Sequence, residues 1–232
     1  MFGLLITSTI ALLTILSTPA ADPKPIEPFN GKDLTGWMFK GDAKKSKWEV
    51  TEVRIHPSKP TELQPTKHAE GTPYWLVNMG GGVDAYTEQK FGDCTIAVEF
   101  MIPQGSNSGV YVMGEYEVQI LDSYGKEKVG PGDLGGIYNT AAPKVNASKK
   151  PGEWQTFVIE FRAPTFEGGK KVGNAKFVKV TLNDTVIHEN VEMKGPTPGG
   201  LTGKEVATGP VLLQGDHGAV AIRKLTITPT GK

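Results

Sequence analysis

The sequence has a single cysteine, no excess of charge of either sign and no sustained helical period. Cys94 has no partner for a disulfide within the chain, and its alternation with Ile96 and Val98 is typical of a small buried side chain rather than a reactive thiol. Lysine plus arginine and aspartate plus glutamate both number 25, so the net charge of zero gives nucleic acid binding no electrostatic support. The four histidines lack the spacing of zinc ligands, and we expect neither a transition-metal centre nor a cofactor.

An apolar run at the N-terminus, from Phe2 to Leu16, is followed by small residues at positions 18–21. The run is too short for a comfortable membrane span, so we interpret residues 1–21 as a secretory signal peptide. An uncleaved membrane anchor is the alternative. We therefore expect residues 22–232 to form one exported domain, secreted or periplasmic, with no stable membrane insertion after cleavage.

Short alternating runs separated by glycine and proline predict an all-β domain, a sandwich or jelly roll of two sheets. Asn183-Asp184 is expected to form a hairpin turn. Two long segments, Pro57–Pro73 and Ser123–Pro151, are expected to be loops, and loops of that length are often functional. The predicted strands are Lys47–Ile55, Trp75–Val77, Cys94–Ile102, Gly109–Met113, Tyr116–Leu121, Trp154–Arg162, Ala175–Leu182, Thr185–Glu189, Val211–Gln214 and Val220–Thr228.

The segment from Gly105 to Asp122 is predicted to form a β-hairpin with one apolar face. A two-residue turn would place the alternate valines of the first strand beside polar residues of the second, whereas a three-residue loop places them beside aliphatic ones. Burial of each Val or Ile is worth roughly 1.5–3 kcal/mol, so the three-residue loop is predicted. The core face then carries Val110, Val112, Val118 and Ile120, and the open face carries Tyr111, Met113, Glu117 and Gln119.

The open face of this hairpin has the side chains that a sugar site needs. Glu117 is our first candidate for a catalytic acid or base, Gln119 for hydrogen bonds to hydroxyl groups, and Tyr111 for stacking on a sugar ring. The alternatives are an ordinary solvent-facing strand and, for Glu117, a hydrogen-bonded or ion-paired sheet residue. The strand continues with Gln119 and Leu121, so it lacks the second carboxylate that ordinary glycoside hydrolysis requires.

His217 follows a predicted strand and is flanked by Asp216 and glycines. Histidine is suited to proton transfer near neutral pH, so we expect a catalytic role, with Gln214 of the same segment binding substrate. The alternative is a turn histidine that caps the end of a strand. Asp122, at the start of a long loop, orients a neighbour or binds a hard cation with loop carbonyls.

Two further residues are candidates for substrate binding. Tyr138, in the long loop after Asp122, could stack on a sugar ring or could anchor the loop on the core. Arg162, at the end of a predicted strand, could polarise a carbonyl or could form a surface pair with Glu160.

Several segments between Phe29 and Ile227 together resemble one known family, the 3-keto-disaccharide hydrolase or 3-keto-glucoside 1,2-lyase/hydratase domain. The resemblance implies a concanavalin A-like jelly roll, with two curved antiparallel sheets and a ligand groove on the concave face. Met113 departs from the family's pattern, in which many members carry Arg. In order along the chain, the matching segments are FNGKDLTGW, FGDCTIAVEF, GSNSGVYVMGEYEVQILDSYG, GGIY, VNASKKPGEWQTFVIEFRAP, NAKFVKV, VIHENVEMKGPT and GPVLLQGDHGAVAIR.

The same resemblance implies an activity on sugars already oxidised at C3. A C3 ketone acidifies the C2 hydrogen, so a base removes that proton and the C1 substituent is expelled; addition of water then gives net hydrolysis. The expected partner is a small carbohydrate, a 3-keto-glycoside. The alternatives are a non-catalytic carbohydrate-binding module on the same fold and a structural or adhesion domain.

Overall fold

The computed structural model describes residues 23–68 and 70–230, so the predicted signal peptide lies outside the described residues. In the described part the chain forms sixteen strands and one short 3₁₀ helix, Ala43–Lys45. No helix there is long and apolar enough to cross a membrane. The strands are β1 Trp37–Phe39, β2 Trp48–Thr51, β3 Val53–His56, β4 Lys59–Pro65, β5 Trp75–Asn78, β6 Ala85–Phe91, β7 Cys94–Met101, β8 Asn107–Val112, β9 Tyr116–Leu121, β10 Gln155–Arg162, β11 Thr165–Glu167, β12 Lys170–Gly173, β13 Ala175–Leu182, β14 Thr185–Met193, β15 Gly209–Leu213 and β16 Val220–Pro229.

Two antiparallel sheets form a sandwich, as the sequence predicts. One sheet has five strands in the order β1-β6-β15-β8-β9, and the other has seven in the order β14-β13-β10-β7-β16-β5-β2. Alternate residues of both sheets share one apolar core, in which Phe100 and Phe157 stack with ring centroids 4.9 Å apart. Cys94 is buried in this core, as expected, and the apolar surroundings raise the pKa of its thiol to about 12. Because the core fills the space between the two sheets, their outer faces remain available for a functional site.

The β8–β9 hairpin has the predicted register, with a three-residue loop from Met113 to Glu115 and Val110 opposite Val118. Met113, however, is not on the same face as Glu117. The strand ends at Val112, and Met113 has a φ of 55° in the loop, so the alternation stops and its side chain packs into the core. The expectation that Met113 belongs to the open face is wrong for this reason.

The other local predictions have different outcomes. The hairpin turn at Asn183-Asp184 is confirmed, with φ angles of 50° and 64°. The predicted loop Pro57–Pro73 instead contains β4, which pairs with β3. The residues of β4 are mostly exposed and include prolines, and they show no apolar alternation. The sequence pattern therefore does not predict this pairing. The second predicted loop, Ser123–Pro151, contains only isolated bridges.

Part of this second loop runs beside β9 like a short additional strand. Gly135 N–H donates to Gln119 O over 2.8 Å, Gln119 N–H donates to Gly136 O over 2.9 Å, and Tyr138 N–H donates to Glu117 O over 3.1 Å. These bonds use backbone groups that β9, the edge of its sheet, would otherwise leave free. The pairing also fixes Tyr138 next to Glu117.

Candidate functional site

A pocket of about 180 Å³ lies on the outer face of the five-stranded sheet. We call it the Glu117 pocket. It lies on the outer face because the alternate residues of β8 and β9 point into the core. Six of the seven site residues predicted from the sequence line it, namely Tyr111, Glu117, Gln119, Tyr138, Gln214 and His217. The sequence analysis missed three other lining residues, Asn107, Pro198 and Gly199.

Arg162 does not join the Glu117 pocket. It lies on β10 of the seven-stranded sheet, where Phe161 points into the core and Arg162 is exposed on the outer face. Strand alternation therefore places it on the opposite side of the sandwich from Glu117. Glu160 pairs with Lys179 rather than with Arg162. Arg162 cannot reach a ligand in this pocket, so its predicted role in substrate binding there is wrong.

Glu117 is a buried carboxyl group, only 1% exposed. Burial raises its pKa from 4.5 to about 7, although the Tyr111 hydroxyl and His217 oppose the shift. Its Oε1 atom has no hydrogen-bond partner. A carboxyl group with a pKa near neutrality is suited to accept and release a proton at physiological pH.

The raised pKa of Glu117 predicts how a Glu117→Gln variant changes stability with pH. The folded state holds the proton more tightly than the unfolded chain, so the wild type loses stability as pH rises from 4.5 through about 7. Glutamine does not titrate, so the variant does not show this loss. Relative to the wild type, its free energy of unfolding should rise by up to about 3 kcal/mol between about pH 4.5 and about pH 8. Chemical denaturation of both proteins at about pH 4.5 and about pH 8 measures the difference. A difference that stays the same at both pH values would contradict the buried carboxyl group.

Space for the Glu117 carboxyl group is provided by a glycine on the neighbouring strand. Gly109 lies diagonally across from Glu117, since its direct partner in the pair is Gln119. A Cβ atom at position 109 would lie 2.2 Å from Glu117 Oε1. Glycine is therefore needed for the carboxyl group to lean across β8.

The polar face of the hairpin is not open, contrary to the sequence-based expectation. A loop that follows β14 covers it: Glu117 N–H donates to Thr197 Oγ1 over 2.9 Å, and the Tyr111 hydroxyl donates to Pro198 O over 3.3 Å. The carboxylate of Glu115 accepts hydrogen bonds from Thr202, at both its N–H and its hydroxyl group, and holds the loop down. Tyr111, Glu117 and the other strand residues thus lie in a pocket with walls instead of on a flat surface.

His217 lies at the rim of the Glu117 pocket and is about half exposed. Its Nδ1 atom is hydrogen-bonded to the Asp216 carboxylate, which fixes the ring. Backbone bonds hold the segment: Gly81 N–H donates to His217 O over 2.9 Å, and Gly218 N–H donates to Asn107 O over 2.6 Å. The imidazole ring at the rim and the buried carboxyl group of Glu117 thus line one small pocket.

Four residues that line this pocket each have a buried side-chain oxygen atom without a hydrogen-bond partner. These atoms are Asn107 Oδ1, Glu117 Oε1, Gln119 Oε1 and Gln214 Oε1. A buried acceptor without a partner is unfavourable by about 1–3 kcal/mol, so a ligand that donates several hydrogen bonds would be stabilised here. A sugar, with a hydroxyl group on nearly every carbon, is such a ligand.

The residues that the sequence analysis missed were missed for two different reasons. Asn107 precedes the predicted start of its strand at Gly109, and β8 in fact begins at Asn107. Pro198 and Gly199 belong to a loop that is 87 positions from Tyr111 along the chain. No local pattern could indicate that contact; only the proline and glycines marked a turn.

In the described residues no group of three or more His, Cys, Asp or Glu side chains is arranged to hold a metal ion. Asp122, the candidate for a hard cation, accepts backbone hydrogen bonds from Gly105 and Tyr124. Its carboxylate therefore closes the turn at the start of the loop.

Comparison with known proteins adds to this geometry. A family described as the 3-keto-alpha-glucoside-1,2-lyase-like domain matches residues 24–228. No curated protein sequence matches the chain. A crystal structure from Parabacteroides distasonis ATCC 8503, provisionally described as a glycosyl hydrolase, is 26% identical with a TM-score of 0.69 and covers 94% of each chain.

Two further crystal structures from that organism, also provisionally described as glycosyl hydrolases, share the fold. One is 16% identical with a TM-score of 0.61, over 89% of this chain and 94% of the other. The second is 19% identical with a TM-score of 0.57, over 89% of this chain and 100% of the other.

Proposed function

Because the chain belongs to the 3-keto-alpha-glucoside-1,2-lyase-like domain family, we propose that it cleaves 3-keto-glycosides by removing the C2 proton and expelling the C1 substituent. The family and the similar structure described as a glycosyl hydrolase support a carbohydrate-active function. The single observation that carries the finer proposal is Glu117: one buried carboxyl group with a pKa of about 7 in a pocket whose other unpartnered buried oxygen atoms belong to amide side chains.

Elimination needs one base, and the Glu117 pocket has one buried carboxyl group. Glu117 accepts the C2 proton, and the electron pair of the C–H bond moves towards the C3 ketone to give an enolate. The Tyr111 hydroxyl, whose pKa is raised mainly by burial and also by the charge of Glu117, stays protonated. By turning away from Pro198 O it can donate to the enolate oxygen. The base must be ionised to act, so the rate should rise with pH through about 7.

Departure of the aglycone completes the elimination. The enolate collapses to form the C1–C2 double bond, the C1–O bond breaks, and the leaving oxygen takes a proton. His217, held by Asp216 at the rim, is placed to supply that proton. The amides of Asn107, Gln119 and Gln214 hold the remaining hydroxyl groups, and water added to the unsaturated sugar yields net hydrolysis.

Incubation of the purified protein with a 3-keto-glucoside tests this function. We expect ¹H NMR to show the unsaturated 2-hydroxy-3-keto sugar, its hydrate, or both, together with the free aglycone. Binding of the 3-keto-glucoside without any product would instead support a carbohydrate-binding module.

Gly109→Ala should lower turnover by about 10²-fold with little change in the fold, because a misplacement of about 1 Å in a catalytic group has an effect of that size. The added methyl group would lie 2.2 Å from Glu117 Oε1, 3.0 Å from its Cδ and 3.1 Å from its Cγ, so this side chain must move away. Gly195→Ala is the matched control, because a Cβ atom there meets nothing within 4 Å. Steady-state kinetics and circular dichroism of both variants provide the measurement. Wild-type turnover in Gly109→Ala would show that the carboxyl group does not need its position over β8.

A further inference from the structure

A second pocket, of about 490 Å³, opens on the same outer face of the five-stranded sheet. We call it the Met38 pocket. Two of its apolar side chains are unusually exposed, Met38 at 44% and Val206 at 47%. Apolar parts of its lining come from Met38, Tyr86, Leu201, Val206 and Pro210, and its charged lining residues are Glu88, Lys90 and Glu115.

The two pockets are connected by one row of residues across the sheet. Each member lies directly opposite the next on the neighbouring strand, so all share one face. Neighbouring strands are 4.7–4.9 Å apart, so Tyr86 lies three strand spacings, or about 14 Å, from Glu117. In order, the row is Met38, Tyr86, Leu212, Tyr111 and Glu117.

The loop that covers the hairpin also lies between the two pockets. Pro198 and Gly199 line the Glu117 pocket, and Leu201 and Thr202 line the Met38 pocket. Lys40 Nζ donates to Gly199 O over 2.8 Å and ties this part of the loop to β1. The residues between the pockets are Gly199 and Gly200, which have no side chains. A ligand that leaves the Glu117 pocket in this direction therefore passes the backbone of Gly199 and Gly200 and the Lys40 side chain.

We propose that the Met38 pocket binds the aglycone of the substrate and that this aglycone is a long apolar group, such as an alkyl chain. The inference rests on the proposed cleavage in the Glu117 pocket, which receives the oxidised sugar. An aglycone must extend from C1 past the two glycines to reach Met38 and Val206, so a methyl group is too short. Thioether, aliphatic and tyrosine side chains attract an apolar chain, and its binding would cover apolar surface now exposed to water.

The kinetic test compares 3-keto-glucosides that differ only in the aglycone: methyl, octyl and a second glucose. We expect kcat/KM to be at least about 10-fold higher for the octyl compound than for the methyl compound. Val206→Asp and Met38→Asp place a charge among the apolar side chains of the Met38 pocket and should abolish this advantage. Val145→Asp is the matched control, because Val145 is also 47% exposed but lies outside both pockets. Equal kcat/KM values for octyl and methyl, or a preference for the disaccharide, would overturn the proposal.

A binding measurement separates this inference from the proposed function. Titration calorimetry compares unoxidised octyl and methyl glucosides, with the octyl compound kept below its micelle concentration. Tighter binding of octyl glucoside, lost in Val206→Asp and kept in Val145→Asp, would support the Met38 pocket even if no 3-keto-glycoside were cleaved. Equal affinity of the two glucosides would overturn it even if cleavage were observed.

Discussion

Replacement of Glu117 by glutamine is expected to lower kcat on a 3-keto-glycoside by about 10²–10⁴-fold and to weaken substrate binding little. Glutamine keeps the size of the side chain but cannot accept the C2 proton. Its amide can still meet a sugar hydroxyl group in the space over Gly109. The loss should therefore appear in kcat rather than in KM, which identifies a group that acts in the transition state.

Exchange of the C2 proton in deuterated solvent gives a second measurement of the same substitution. Wild-type protein should incorporate deuterium at C2 of a 3-keto sugar, and Glu117→Gln should not. Glu189→Gln is a suitable control, because Glu189 is an exposed carboxylate on β14, in the other sheet. Near wild-type turnover or exchange in Glu117→Gln would mean that another group, with His217 as the first alternative, is the base.

Oxidised substrates should be cleaved at least about 10³-fold faster than their unoxidised parents, which corresponds to about 4 kcal/mol of transition-state free energy. Without a C3 ketone the C2 hydrogen is not acidic, and elimination cannot begin. Glu117 is also the one carboxylate among the residues that line the pocket, and Gln119 stands at the alternate position where direct hydrolysis of the parent would need a second.

Parallel assays of a 3-keto-glucoside and the parent glucoside with the same aglycone measure this ratio. Each reaction is followed by release of the aglycone, so the two rates are directly comparable. Equal or faster cleavage of the parent would exclude the elimination route and would favour an ordinary glycosidase.

The hairpin and its polar face could be predicted from the sequence because burial energy decides the register. Four aliphatic side chains need the core, and one register alone buries them all, so Tyr111, Glu117 and Gln119 are left together on the other face. A strong local pattern of this kind determines both the backbone pairing and the group of polar residues.

Arg162 and Pro198 show what a local sequence pattern cannot predict. Alternation along β10 separates the two faces of a strand, but it does not say which sheet the strand joins, and Arg162 lies on the wrong one. Pro198 reaches Tyr111 only through a loop far away in the chain. Contacts of that kind depend on tertiary packing, which cannot be predicted from a short window of sequence.

The pairing of residues 135–138 with β9 limits which substitutions the protein can accept beside the Glu117 pocket. An uncovered β9 would be a free edge strand, able to pair with β9 of another copy and to start aggregation. Substitutions that loosen the segment around Tyr138 in order to admit a larger sugar would expose that edge at the same time. The need to stay soluble therefore limits which substitutions around Tyr138 can widen the range of substrates. Wider substrates should be accommodated more readily on the other side of the pocket, at Gly199 and Gly200.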